Sequence, residues 1–139
     1  MNLLEQAISL AVEAHAGQVR KDGTPYILHP LHVMLQMDSE VERITAVLHD
    51  VVEDTAVTFA DLQEMKLPPE ALEAIRLLTH EDSVPYETYI MTLKTNPIAR
   101  RVKLADLKHN LDISALPQLD EKDVARLRRY GRAWRLLQS

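Results

Sequence analysis

The sequence predicts an all-α fold, built as a single bundle of seven or eight helices over residues 1–139. The chain has only three glycines, one phenylalanine and one tryptophan, and it is rich in leucine, alanine, glutamate and arginine. These residues favour helix over sheet. Apolar residues recur at helical spacing, and no strand-like alternation continues for more than a few residues. The length is also that of one ordinary domain, about 150 residues.

The first half of the chain predicts three helices. The first carries an apolar stripe made of Leu4, Ile8, Ala11 and His15, and it should end near Gly17. Residues 18–28 contain turn signals and predict an irregular loop. A short helix then begins at His29-Pro30, because proline is tolerated in the first helical turn. Ser39 and Glu42 form a capping-box pattern for a third helix that continues to about Asp54.

The second half predicts the remaining helices from their start signals. Thr58 with Asp61 marks one start, and the Pro68-Pro69 pair ends that segment and begins the next, which continues through Thr79. Further helices begin near Pro85 and at Pro97, and the longer of these two continues to about Leu111. Asp120 with Asp123 marks the last helix, which should end near Leu137. There Trp134, Leu136 and Leu137 can pack onto the bundle or form a homo-oligomer contact.

Composition and charge exclude several classes of protein. The absence of cysteine removes disulfide frameworks, thiol nucleophiles and thiolate metal sites. No apolar run is long enough to span a membrane, and the first residues lack the basic and apolar regions of a signal peptide, so we expect a cytoplasmic protein. The net charge of −5 argues against nucleic acid as the partner. Residues 120–139 carry a net charge of +3, but arginines on a terminal helix are typical of a solvated face.

An imidazole and three carboxylates lie close together in the third predicted helix. His49 and Asp50 are adjacent, and Glu53 and Asp54 follow at i+4 from each. Neighbours on a helix point about 100° apart, so both members of the pair can reach one ion. Packing alone does not explain this group, because desolvated carboxylates repel one another unless a cation or proton compensates. The alternative is a solvated acidic helix end.

Three further features carry less information when taken alone. His29 lies at a boundary between loop and helix, where histidine is usually a cap or a surface residue. Asp106 shares one helix face with Lys103 and Asn110, at i−3 and i+4, although a lone helical aspartate normally faces solvent. The adjacent cations Arg20 and Lys21 lie in a turn-rich loop that suits phosphate groups.

Taken together, these features resemble the HD-domain superfamily of metal-dependent phosphohydrolases. The closest resemblance is to the hydrolase domain of the RelA/SpoT family, which removes the 3′-pyrophosphate from (p)ppGpp. The similarity covers residues 5–115, and four segments match the family's motifs in order and spacing. These segments are residues 17–26 (GQVRKDGTPY), 26–30 (YILHP), 48–55 (LHDVVEDT) and 102–106 (VKLAD).

The resemblance implies a site and a role for each of its residues. One divalent metal ion, commonly manganese in this family, would be held by His29, His49, Asp50 and Asp106. This mixed nitrogen and oxygen set suits Mn²⁺ or Fe²⁺ and leaves positions open for water and a phosphate oxygen. Glu53 and Asp54 would orient and deprotonate the attacking water. The nucleotide would be contacted by Arg20 and Lys21, and its phosphate or ribose by Lys103 and Asn110.

One departure from the family pattern leaves the substrate open. After the asparagine, the long family members usually have arginine and threonine at the positions of Asp112 and Ile113. The first hypothesis is a stand-alone (p)ppGpp 3′-pyrophosphohydrolase, with no synthetase activity. The second is the same chemistry on a different phosphorylated nucleotide. The third, from another class, is a non-catalytic module that senses a nucleotide or binds a partner and keeps the metal site for stability.

Overall fold

The computed structural model describes all residues 1–139 and contains nine helices. They are α1 (Leu3–Ala14), α2 (Leu28–Leu35), α3 (Glu40–Leu48), α4 (Val51–Asp54), α5 (Phe59–Glu64), α6 (Pro69–Leu78), α7 (Tyr86–Leu93), α8 (Pro97–Asn110) and α9 (Glu121–Gln138). There is no sheet, and the one isolated β-bridge joins Val19 to Pro25 in the loop after α1. The predicted all-α class is confirmed.

The helix starts follow the local signals in the sequence. Asn2, Ser39, Thr58 and Asp120 each cap a helix and form a reciprocal capping box with the residue three positions later. Proline occupies the first turn of α6 and of α8, where its missing N–H costs no hydrogen bond. Helix α1 ends at Ala14, and Gly17 then adopts a φ of +84° in the turn that follows.

Helix α3 lies at the centre of the bundle. It packs against α1, α2, α6 and α8, while α8 also contacts α2, α6 and α9. Its apolar positions Ile44, Val47 and Leu48 are fully or almost fully buried. The loops that leave α3 and α1 therefore start from a rigid core, and both loops reach the site described below.

The last helix packs onto this bundle. Leu137 is fully buried, and Trp134 and Leu136 pack against the core. These three side chains therefore pack onto the bundle within the chain. None of the nine helices combines the length and the apolar character that are needed to cross a bilayer.

Candidate metal and nucleotide site

Two histidines and two aspartates converge at the end of α3. His29 comes from α2, His49 and Asp50 follow α3, and Asp106 comes from α8. One ligand atom from each of these four residues lies within 4.8 Å of every other. The Nε2 atom of His29 is 2.7 Å from Oδ1 of Asp106 and 3.9 Å from Oδ2 of Asp50. The Nε2 atom of His49 is 3.2 Å and 3.3 Å from the same two oxygens.

The four nitrogen–oxygen separations of 2.7–3.9 Å are close to those around a single divalent cation. Metal–ligand bonds of about 2.1 Å place ligand atoms about 3 Å apart at right angles and about 4.2 Å apart on opposite sides. Three of the four residues are almost fully buried, and Asp50 is partly open. The group therefore has both the donor chemistry and the spacing of a metal site with an open side.

The helix that carries His49 and Asp50 is interrupted at this pair. The sequence predicted one helix from Ser39 to about Asp54, with the pair in its middle, and this is wrong. The carbonyl oxygen of Ala46 lies 2.5 Å from Nδ1 of His49 and 3.4 Å from the backbone nitrogen of His49. This oxygen is the i−4 acceptor that the Asp50 amide would use in a continuous helix. The His49 side chain thus competes with the helix backbone, and α3 and α4 are separated by a turn.

Neighbouring side chains hold the two aspartates. The Tyr26 hydroxyl donates to Oδ2 of Asp50 at 2.5 Å. The ammonium of Lys103 donates to Oδ2 of Asp106 at 2.8 Å, and the Asn110 amide donates to Oδ1 of Asp106 at 3.2 Å. Sequence reasoning assigned no role to Tyr26, although it lies three residues before His29 in the matched motif. Lys103 is almost buried and its ammonium lies beside the Tyr89 ring, so it supports Asp106 and is not free for a phosphate.

The electrostatics of this group favour a bound cation. Burial alone lowers the pKa of the His49 imidazole, but Asp50 and Asp106 outweigh it and raise that pKa to about 9. Burial raises the pKa of the Asp106 carboxyl, yet Lys103 and the two histidines hold it well below its usual range. The same carboxylates that attract a proton to His49 also attract a metal ion.

Glu53 and Asp54 lie on α4, at the solvent-exposed rim beside this group. Partial burial raises the pKa of the Glu53 carboxyl. Partial burial and the nearby carboxylates of Asp50 and Glu53 raise the pKa of Asp54 to about 6. The backbone N–H of His80 donates to Oε1 of Glu53 at 2.7 Å, and the side-chain amide of Gln18 donates to the Asp54 carbonyl at 3.0 Å. The Glu53 carboxylate and the Asp54 backbone are therefore each held from outside α4, by contacts that sequence patterns do not reveal.

A cavity of about 350 Å³ opens next to the four-residue group. Arg20 and Asn110 line it, and Nη2 of Arg20 donates to Oδ1 of Asn110 at 2.9 Å. Lys21 also lines it, but its ammonium pairs with Asp123 and, at 3.3 Å, with Asp120. The hydrogen bond from Lys21 is the largest influence that lowers the pKa of Asp123 to about 2. Lys21 therefore joins the loop between α1 and α2 to the start of α9.

His109 connects this cavity to the four-residue group. It lines the cavity, and its Nδ1 is 2.8 Å from Nδ1 of His29. Partial burial and the charge of Arg20 lower the pKa of His109 to about 4. His32 stacks on its ring with a centroid separation of 3.9 Å. All ten residues that the sequence singled out thus lie at or beside one site, with Lys103 and Lys21 already engaged by carboxylates.

Comparison with known proteins yields relatives named as (p)ppGpp hydrolases and relatives named as GTP pyrophosphokinases. No protein-family model matches the chain. The bifunctional (p)ppGpp synthase/hydrolase SpoT of Escherichia coli is 33% identical over 122 residues, which cover 78% of this chain and 17% of that protein. A guanosine-3′,5′-bis(diphosphate) 3′-pyrophosphohydrolase of Aquifex aeolicus is 44% identical over 66 residues, covering 44% of this chain and 9% of that protein. The chain thus spans less than a fifth of the length of these curated relatives.

A solved structure agrees with the sequence relatives. It is that of a metazoan ortholog of SpoT that hydrolyses ppGpp, and it superposes with a TM-score of 0.81 at 24% identity. The match covers 100% of this chain and 87% of the other, which establishes a shared fold. The chain is therefore a member of the SpoT-related HD-domain family, with the all-helical bundle of that fold.

Proposed function

We propose that this chain is a metal-dependent phosphohydrolase that removes the 3′-pyrophosphate from (p)ppGpp. The observation that carries the proposal is the convergence of His29, His49, Asp50 and Asp106 within 4.8 Å. The relatives named as (p)ppGpp hydrolases support the substrate and the reaction.

The four converging residues would hold one divalent ion, for which manganese is our proposal. Two imidazoles and two carboxylates form a donor set that accepts Mn²⁺ and does not require cysteine. When bound, the ion supplies Lewis acidity, which draws charge from a phosphate oxygen and makes a nearby water more acidic. Tyr26 and Lys103 orient the two carboxylates through the hydrogen bonds already described.

Glu53 and Asp54 would position the attacking water and take its proton. A general base works best when its pKa approaches the working pH, and the pKa values of both acids are raised from their usual values, that of Asp54 to about 6. Their position on α4, one turn after Asp50, puts them beside the metal ligands without making them part of the converging group. Such a placement suits proton transfer better than metal binding.

The nucleotide would occupy the cavity beside the metal ligands. Arg20 and Asn110 lie where this cavity meets the four-residue group, so they suit a phosphate and a ribose hydroxyl. The cavity is also lined by Ile113, Leu116 and Leu127, whose apolar side chains suit the flat face of a base. Lys21 would contribute by joining two parts of the cavity lining through its ion pair with Asp123.

A second candidate keeps the chemistry and changes the nucleotide. Asp112 and Ile113 line the cavity at the positions where the long family members usually have arginine and threonine. A carboxylate there disfavours an additional phosphate by like-charge repulsion. The Ile113 side chain has no hydrogen-bonding group for a base edge.

The test is release of pyrophosphate from ppGpp after addition of Mn²⁺ to protein stripped of metal. We expect turnover by the wild type, loss of turnover in Asp50→Ala, and no change in Glu64→Ala, a matched loss of an exposed carboxylate on α5. Turnover of other phosphorylated nucleotides but not of ppGpp would favour the second candidate. Binding of Mn²⁺ and nucleotide without turnover of any substrate would overturn the enzymatic proposal in favour of a non-catalytic module.

A further inference from the structure

His29 and His109 lie side by side in one plane. Their rings are tilted by only 5°, with a centroid separation of 5.1 Å and an Nδ1–Nδ1 distance of 2.8 Å. Stacked rings, whether face to face or offset, keep their planes roughly 3.5 Å apart, which is more than the 2.8 Å between the two Nδ1 atoms. The pair His29–His109 is therefore an edge-to-edge hydrogen bond between two imidazoles.

Such a bond requires one proton between the two nitrogens. A neutral imidazole has one N–H donor and one bare nitrogen acceptor. The other nitrogen of His29, Nε2, points to Oδ1 of Asp106 and is the atom within reach of a cation. If Nε2 is bare to accept a metal, the proton must be on Nδ1 of His29, and His109 must accept it.

The ring of His109 is held in place for this contact. His32 covers one face. The Nη1 atom of Arg20 lies 2.9 Å and 3.2 Å from the two ring nitrogens of His109, and an atom nearly equidistant from both cannot lie along the in-plane lone pair of either. Arg20 therefore contacts the ring without using the in-plane lone pair of Nδ1, which remains available to His29.

We propose that His109 is a positioning residue of the metal site, which accepts the Nδ1 proton of His29 and so presents a bare Nε2 to the cation. This inference rests on the metal site of the proposed function. Metal-binding histidines usually donate to a carboxylate, a carbonyl or water, which fixes the tautomer. His109 also serves the metal-free state. There Nε2 of His29 carries the proton and donates it to Asp106, and Nδ1 of His109 donates its own proton to the bare Nδ1 of His29. The site can thus exchange its metal without leaving a buried nitrogen unpaired.

The test compares three variants by calorimetric titration of Mn²⁺ alone into metal-stripped protein. His109→Leu removes the acceptor and should weaken Mn²⁺ binding roughly 10- to 100-fold. His109→Asn places an acceptor oxygen near the position of Nδ1 and should bind within about threefold of the wild type. His32→Phe keeps a ring on the His109 face and should leave the affinity unchanged. Unfolding midpoints of all three identify any variant that fails to fold.

A second measurement reads the tautomer directly. In protein loaded with diamagnetic Zn²⁺, ¹⁵N shifts of His29 should show a protonated Nδ1 and a metal-bound Nε2. Wild-type affinity in a folded His109→Leu variant, or a proton on Nε2 of His29 in the loaded protein, would overturn the inference. Metal binding by the wild type without hydrolysis of ppGpp would overturn the proposed function and leave this inference standing. A wild type that binds no metal would overturn both.

Discussion

Replacing Lys103 by methionine tests the contribution of the buried ion pair between Lys103 and Asp106. The substitution keeps most of the apolar stem and removes only the ammonium, which lies 2.8 Å from Oδ2 of Asp106. The side chains of Lys103 and Asp106 are 12% and 6% exposed. Little water is therefore available to replace the lost partner.

The structure sets the size of the effect. At 2.8 Å and an effective dielectric constant of about 20, the attraction is about 6 kcal/mol before the cost of desolvation. Removing one partner from a buried pair typically costs about 3–5 kcal/mol, because the other charge stays buried. His29, His49 and Asn110 still contact Asp106. We therefore expect a cost at the lower end of this range. Lys103→Met should lower the unfolding free energy by about 3 kcal/mol, which corresponds to a fall in Tm of about 10 °C.

The assay is urea unfolding in the presence of a chelator, so that no metal compensates for the lost charge. Arg76→Met serves as the matched control, because it removes an exposed ion pair with Glu73 and should cost less than about 1 kcal/mol. The double variant Lys103→Met/Asp106→Asn should recover part of the loss, since it removes both charges. A cost for Lys103→Met no larger than that for Arg76→Met would refute the view that this pair is buried and strongly coupled.

Three further predictions concern the acids, the pH dependence and the backbone. The double variant Glu53→Gln/Asp54→Asn should lower kcat for pyrophosphate release by about 10²- to 10⁴-fold. Its Mn²⁺ affinity, measured by calorimetry, should change by less than about tenfold. A loss of Mn²⁺ affinity as large as the loss of kcat would mean that these acids are metal ligands. Asp123 has a folded-state pKa of about 2, below its ordinary value near 3.8. The ionised carboxylate therefore stabilises the folded protein fully above pH 3.8, and this contribution is lost as the pH falls toward 2. The difference in unfolding free energy between the wild type and Asp123→Asn should shrink across that window. Gly17→Ala should destabilise by about 1–2 kcal/mol, because φ is +84° there. Gly131→Ala, within α9 and with its nearest new contact at 3.6 Å, should stabilise by up to about 1 kcal/mol, and equal effects of the two glycine substitutions would contradict this reasoning.

Much of the fold could be predicted because its signals are local. The capping boxes at Ser39, Thr58 and Asp120 depend on residues three positions apart, and each forms as predicted. The prolines that begin α6 and α8 act through their own φ angle and missing N–H. The residues of the metal group could be named for a different reason, since the spacing of four motifs resembles a known family.

The contacts that adjust this site could not be read from the sequence, because they join residues far apart in the chain or depend on side-chain competition with the backbone. Lys21 looks like a free cation for phosphate, yet its partner Asp123 lies 102 residues away, and only the packing of α9 brings them together. The His49-Asp50 turn has no glycine or proline to announce it. Nδ1 of the His49 ring contacts the Ala46 carbonyl, while its Nε2 lies 3.2 Å from Asp50 and 3.3 Å from Asp106. The break in the helix thus coincides with the site and has no marker in the local sequence. A substitution that removes the charge at Asp106 should therefore relax the turn toward a continuous helix, even though it lies 57 residues from His49.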